Sequence, residues 1–419
     1  MSCERGCCTL FEVLLTQTEA ERLMALRLPG VPQEFNRCFA PSDQPGEVAV
    51  RRGEDGRCIF AEGRLCKIHK YHGMAAKPLS CRIFPLHIQH WADGGVSASY
   101  RFICPAVGRR EGNRLGDQLD EVAILSRQLG NRRGVNDCIY SASNPVPLVT
   151  VRKIHAGFRL LLRDETLPLA VRLYAAARIL DFHDNEAMHQ AIREADDSFA
   201  TDLTAFVSRA RPELENELRN GRADALVRSR FRSLLCGYLR DDRPEDAAFR
   251  RRLNRAKVHL RVFSGIGVLA ELNPAAPHVS ILCIPNIARR LPLTTEAVEL
   301  FREFFYGKLD TMEFCGTQIQ RFDYTTGLRH LLLAAPAALV LAAAFAADAG
   351  KNHVGFDAMH RAVRLIDFTF GRSPFFRLRL ARGWIRKLTR PADFASLLNS
   401  ALPGAYDSDA GTEPESHPC

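Results

Sequence analysis

The chain has little of what marks export, membrane insertion or nucleic-acid binding. Met1 is followed at once by Ser2-Cys3-Glu4-Arg5, with neither a basic nor an apolar leader region, so a cytoplasmic location is expected. There is no basic arm and no nucleic-acid-binding motif. The net charge is +9, but Arg and Lys are interspersed with Asp and Glu through helical segments. That describes a solvated surface and predicts no nucleic-acid partner. Long apolar runs are nearly missing too. The exception, Leu331 to Ala347, is mostly alanine and is interrupted by Pro336, whereas a membrane span needs about 20 strongly apolar residues. It reads as a deeply buried helix, and no membrane partner is expected.

Other gaps exclude chemistries. The chain lacks the CxxxCxxC of radical enzymes. It also lacks a methyltransferase glycine loop, because Ser264-Gly265-Ile266-Gly267 has no preceding strand and incomplete glycine spacing. After about residue 110 no β-rich block stands out, apart from a short run at Val279-Ser280-Ile281-Leu282, and no internal repeat is visible. A conventional nucleotide-binding sheet is therefore not expected.

What the sequence does have is cysteine, concentrated at one end. Of 13 cysteines, Cys3, Cys7, Cys8, Cys38, Cys58, Cys66, Cys81 and Cys104 fall in the first quarter. Thiolates are soft ligands, and such a concentration is the usual signature of a bound zinc ion or iron–sulfur centre. A disulfide framework is the competing reading, and it needs an oxidising compartment. The stretch from Cys58 to Pro105 is punctuated by glycine and proline, as in small modules where a metal replaces part of the missing core. Cys138, Cys236, Cys283 and Cys315 sit among apolar neighbours and read as small core hydrophobes.

Periodicity supplies the rest of the outline. Thr16 and Glu19 form a capping signal before an amphipathic segment that Pro29-Gly30 ends. Glu47 to Arg51 and Val96 to Ile103 alternate like strands. From about residue 115 helical spacing dominates, with a run from Val149 to Ala210 broken at Leu167-Pro168 and at Asp181 to Asn185, and a further helix from about residue 212 to 240. The expected fold is mainly α: a cysteine-rich metal-binding module at 1–112, an irregular helical bundle at 113–402, and a disordered acidic tail at 403–419.

The order of these signals resembles a known family. CxxxCC at Cys3, Cys7 and Cys8, then Cys58-x7-Cys66, then Cys81-Arg82-Ile83-Phe84-Pro85, then Cys104-Pro105 is similar to the cysteine-cluster proteins. These zinc- or iron-chelating proteins include the flagellin lysine N-methylases. The step Leu167-Pro168-Leu169-Ala170-Val171-Arg172-Leu173 and the run Phe304-Phe305-Tyr306-Gly307-Lys308 look like that branch as well. The resemblance implies methyl transfer from S-adenosylmethionine to a lysine of a protein substrate, flagellin among the candidates, with a 4Fe–4S cluster or zinc involved. Cys3, Cys7, Cys8, Cys58, Cys66, Cys81 and Cys104 are the expected metal ligands. Arg82 either holds the donor's carboxylate or anchors a backbone carbonyl, the second role being commoner for such an arginine.

Two questions stay open at this level. His69 with His72, and His87 with His90, are spaced to share helical faces, and they are either zinc ligands or surface residues. The surplus of thiolates favours the surface. The alternative to an enzyme is a non-catalytic zinc-binding structural or interaction protein, or a thiol-based metal or redox sensor.

Overall fold

The computed structural model describes residues 12–42, 44–63, 65–130, 134–181, 186–196, 198–221, 224–239, 257–258, 260–283 and 291–402. The chain divides into two compact units, Met1–His90 with Val96–Gly134, and Trp91–Gly95 with Val135–Cys419. The expected disordered tail lies outside the described residues.

In the first unit, β1 (Leu14–Thr16) runs into α1 (Gln17–Ala25) through the anticipated capping box. The Glu19 N–H donates to Thr16 Oγ1 and the Thr16 N–H donates back to Glu19 Oε2, both at 3.2 Å. The helix α2 (Phe35–Cys38) leads to β2 (Phe39–Pro41), and β3 (Glu47–Val50) lies between β1 and β2 in an antiparallel three-stranded sheet. Leu15, Ala20, Leu23, Cys38, Phe39, Phe60 and Ile68 form the core beneath it.

Two short hairpins follow. The first pairs β4 (Ala61–Glu62) with β5 (Leu65–Cys66), and α3 (Lys67–His72) begins directly afterwards. Then α4 (Leu79–Ile83) turns at the cis Phe84–Pro85 peptide into the second hairpin, β6 (Leu86–His90) with β7 (Val96–Tyr100). A single turn of helix, α5 (Pro105–Gly108), precedes α6 (Leu119–Leu129). Val122, Leu125 and Leu129 of α6 recur at helical spacing and cluster with Leu79, Ile83, Leu86 and Ile88. This amphipathic helix thus packs within the first unit, although its sequence pattern already looks like that of the helices beyond.

The second unit is helical, and among the described residues all the strands belong to the first unit. Its helices are α7 (Leu148–Arg163), α8 (Leu169–Asp181), α9 (Glu186–Arg193), α10 (Phe199–Arg219), α11 (Ala225–Leu239), α12 (Thr295–Asp310), α13 (Tyr324–Asp348), α14 (Phe356–Thr369), α15 (Arg379–Leu388) and α16 (Pro391–Ala401). Val279–Leu282 forms only an isolated bridge, Ser280 to Val268. The expected break at Leu167-Pro168 separates α7 from α8, while the Asp181 to Asn185 break lies, beyond Asp181, outside the described residues. Pro212 does not break the chain but sits within α10. It is exposed, so water can satisfy the carbonyl that proline leaves unpaired. The helix α15 has no counterpart in the sequence reading. Its buried stripe is only Ala381, Ile385 and Leu388 in an otherwise basic segment.

The apolar run becomes α13, which touches α8, α12, α14, α15 and α16. It is long and apolar enough to cross a membrane, yet 94% of its most apolar window is buried inside the protein. A helix that is apolar all round needs neighbours all round, and alanine lets them come close. Gly327 marks the tightest approach, since a Cβ there would stand 2.3 Å from the Phe314 carbonyl oxygen. Gly327→Ala should therefore destabilise the protein by about 1–3 kcal/mol in urea unfolding, as overpacking does. A change below about 0.5 kcal/mol would show that this contact relaxes without cost.

Candidate functional site

The described cysteines of the first unit are set out by its hairpins. Cys58 opens the turn into β4, where the Ala61 N–H donates to Cys58 O at 2.8 Å. Cys66 ends β5 and lies across from Ala61. The two therefore stand at the open end of one hairpin, and both are half-buried against the apolar core. The second hairpin repeats the arrangement. Leu86 pairs with Tyr100 at its open end, and the Arg101 N–H donates to Pro85 O at 2.8 Å. Cys81 lies just before that end on α4, and Cys104 lies just after it, at the start of α5. Both are half-buried.

Side-chain contacts tie α4 to the start of the sheet. The Leu79 N–H donates to Glu19 Oε1 at 3.1 Å, and Ser80 Oγ donates to Leu14 O at 3.3 Å. Cys3, Cys7 and Cys8 precede that strand in the chain and lie outside the described residues. Among the described residues, no group of three or more His, Cys, Asp or Glu side chains is arranged to hold a metal ion. No disulfide joins the described cysteines.

Cys38 is different. It is fully buried, its thiol donates to Pro32 O at 3.2 Å, and burial pushes its pKa up, all of which disfavour a ligating thiolate. Arg82 is half-buried on α4. Its side chain makes no hydrogen bond or ion pair with the described residues, so the anchoring of a backbone carbonyl is not seen. His69 and His72 do share a short helix. His87 and His90 lie on a strand instead, where a spacing of three puts them on opposite faces. His90 Nε2 is 2.7 Å from Ser126 Oγ.

The second unit buries its own polar groups. Lys308 on α12 is 2% exposed, and its Nζ lies 2.7 Å from Glu313 Oε1 and 2.6 Å from Asp367 Oδ1. Both contacts are ion pairs at the distance of charge-assisted hydrogen bonds. The lysine stands out in the sequence through its aromatic run, but neither carboxylate does. The available signal was Asp367 on the apolar stripe of α14, beside Val363 and Ile366. Cys138, Cys236 and Cys315 are buried as core residues, and burial together with neighbouring Cys138 raises the Cys315 pKa.

Two histidines are enclosed as well. The His330 ring stacks on Phe370 and Tyr238, with centroids 4.6 and 5.5 Å away, and neither of its nitrogens has a hydrogen-bond partner among the described residues. Burial pushes its pKa down to about 3. His155 Nδ1 is 3.2 Å from Tyr324 Oη, and burial pushes that pKa down to about 4. In the unfolded chain both would titrate near 6.5. On acidification from about pH 6 to pH 4 the unfolded state thus takes up protons that the folded state refuses, and stability falls as pH falls. Each histidine contributes a limiting slope of about 1.4 kcal/mol per pH unit. His330→Phe should remove one such share in urea melts across that range. An unchanged slope would mean that His330 is protonated in the folded protein.

No protein-family model, curated protein or solved structure matches this chain.

Proposed function

We propose that the first unit is a thiolate metal module and that the chain is an S-adenosylmethionine-dependent protein-lysine N-methyltransferase of the flagellin-methylase type. The observation that carries the metal reading is the placement of Cys58 with Cys66, and of Cys81 with Cys104, at the open ends of two hairpins. All four are half-buried. Tetrathiolate sites for zinc or a 4Fe–4S cluster draw on such pairs. Cys3, Cys7 and Cys8 would complete the set. When bound, the cluster would supply a Lewis-acidic anchor for the methyl donor.

The chain's own part in catalysis is narrower. Arg82 stands next to Cys81 with an uncommitted guanidinium, suited to a carboxylate such as the donor's. The substrate lysine must be held deprotonated and partly desolvated before it can act as nucleophile. The methyl-transfer reading rests on the family resemblance.

A second reading, a non-catalytic zinc module, is favoured by the small apolar clusters of the first unit. In so small a core, metal binding would serve as folding free energy. Calorimetric titration with S-adenosylmethionine separates the two. Metal-loaded wild type prepared without oxygen should bind the donor, and Cys81→Ser and Arg82→Gln should lose binding while keeping the helical circular dichroism. A metal-loaded wild type that binds no donor rules out the methyltransferase reading.

A further inference from the structure

We propose that an apolar pocket in the second unit binds a small apolar monocarboxylate, such as a medium-chain fatty acid, with its carboxylate at Arg172. The pocket encloses about 230 Å³. One face of α12 supplies Val298, Phe301 and Phe305, and Leu293, Leu339 and Leu402 close the rest. It opens where Leu293, Val298 and Leu402 are only half-buried. An apolar cavity of about 150 Å³ accepts benzene, so this one has room for a chain of about eight to ten carbons. That is too little for a nucleoside-bearing cofactor.

The polar part of the lining sets the sign of the ligand. Arg172, Arg302 and Tyr306 line the pocket, and no Asp or Glu does among the described residues. Arg302 pairs outward with Glu165 at 3.4 Å, and both are exposed. Arg172 is the inner group, only 3% exposed. Its Nη1 donates to Leu162 O at 2.9 Å and to Tyr306 Oη at 2.8 Å. Its Nε–H is buried and has no acceptor among the described residues. A buried guanidinium with no carboxylate partner among the described residues is costly, and a carboxylate in the pocket that Arg172 lines supplies the missing counter-charge. The apolar walls supply the binding energy for the chain. Nothing in this site depends on the metal module.

The test is calorimetric titration of the full chain with decanoate, with decan-1-ol as the uncharged control. Decanoate should bind and raise the melting temperature, and decan-1-ol should bind about tenfold more weakly or worse, the usual worth of a charged hydrogen bond. Arg172→Gln should weaken decanoate by a similar factor. Because Arg172 also braces Leu162, a second variant leaves the arginine in place. Val298→Trp fills the pocket from its half-exposed wall and should abolish binding with the circular dichroism unchanged. The proposal is overturned if decanoate fails to bind at millimolar concentration, if decan-1-ol binds equally well, or if folded Val298→Trp binds like wild type.

Discussion

Lys308→Met is expected to cost about 3–5 kcal/mol of stability, enough to unfold many domains outright. The substitution nearly preserves side-chain length and apolar volume, so packing is not the cause. It removes the ammonium that lies between Glu313 Oε1 and Asp367 Oδ1 and leaves two carboxylates whose side chains are at most 4% exposed. Breaking a buried ion cluster from one side is costly because the remaining charges lose their counter-ion but cannot regain water. The same reasoning predicts rescue. Lys308→Met combined with Glu313→Gln and Asp367→Asn removes all three charges and should recover more than half of the loss. Urea unfolding followed by far-ultraviolet circular dichroism measures both. A single substitution that costs less than about 1 kcal/mol would mean that the carboxylates are not both charged in the folded protein.

Chelation should have a comparably large effect, confined to the first unit. Structural zinc sites contribute about 10–16 kcal/mol of apparent binding free energy, far more than the two small apolar clusters of this unit can replace. Treatment with a strong chelator, or Cys58→Ser with Cys104→Ser, should therefore collapse hydrogen-exchange protection in β1 to β3 and β6 to β7. The helices α7 to α16 should keep theirs, because their core is built from apolar contacts such as those of α13. Unchanged protection in the strands after complete chelation would show that the first unit folds without metal.

Local signals in the sequence translated into structure wherever the cause was local. The Thr16–Glu19 capping box, the alternation at Glu47–Val50 and Val96–Tyr100, and the helix starts after Pro147 and Pro168 depend on a few neighbouring residues. The burial of α13 was legible because alanine and leucine leave it no polar face. Features decided by distant partners were not legible. Pro212 passes as a helix residue only because its side of α10 faces water. The helix α15 depends on a narrow buried stripe that its arginines obscure. The α6 pattern looks like that of the bundle, yet its leucines belong with Leu79 and Ile83.

The candidate site divides along the same line. Cysteine content pointed to soft-metal chemistry, but which thiols share a hairpin end follows from strand register, as with Cys66 opposite Ala61. The helical spacing assumed for His87 and His90 failed because Ile88 and Gln89 between them are buried in a strand. The Lys308 cluster joins α12 to α14 across a long sequence separation that no local pattern reveals.

Whether these cysteines hold metal decides the proposed function. The most direct measurement is the iron, zinc and acid-labile sulfide content of protein purified without oxygen, read together with its visible absorption. The prediction is brown protein with iron and sulfide in near-equal amounts, about four of each for one 4Fe–4S cluster, and loss of both when Cys58, Cys66, Cys81 and Cys104 are replaced by serine. Colourless protein with stoichiometric zinc would move the function to the structural reading while keeping the metal module. Folded protein that carries neither iron nor zinc, with all its thiols open to alkylation, would contradict the account.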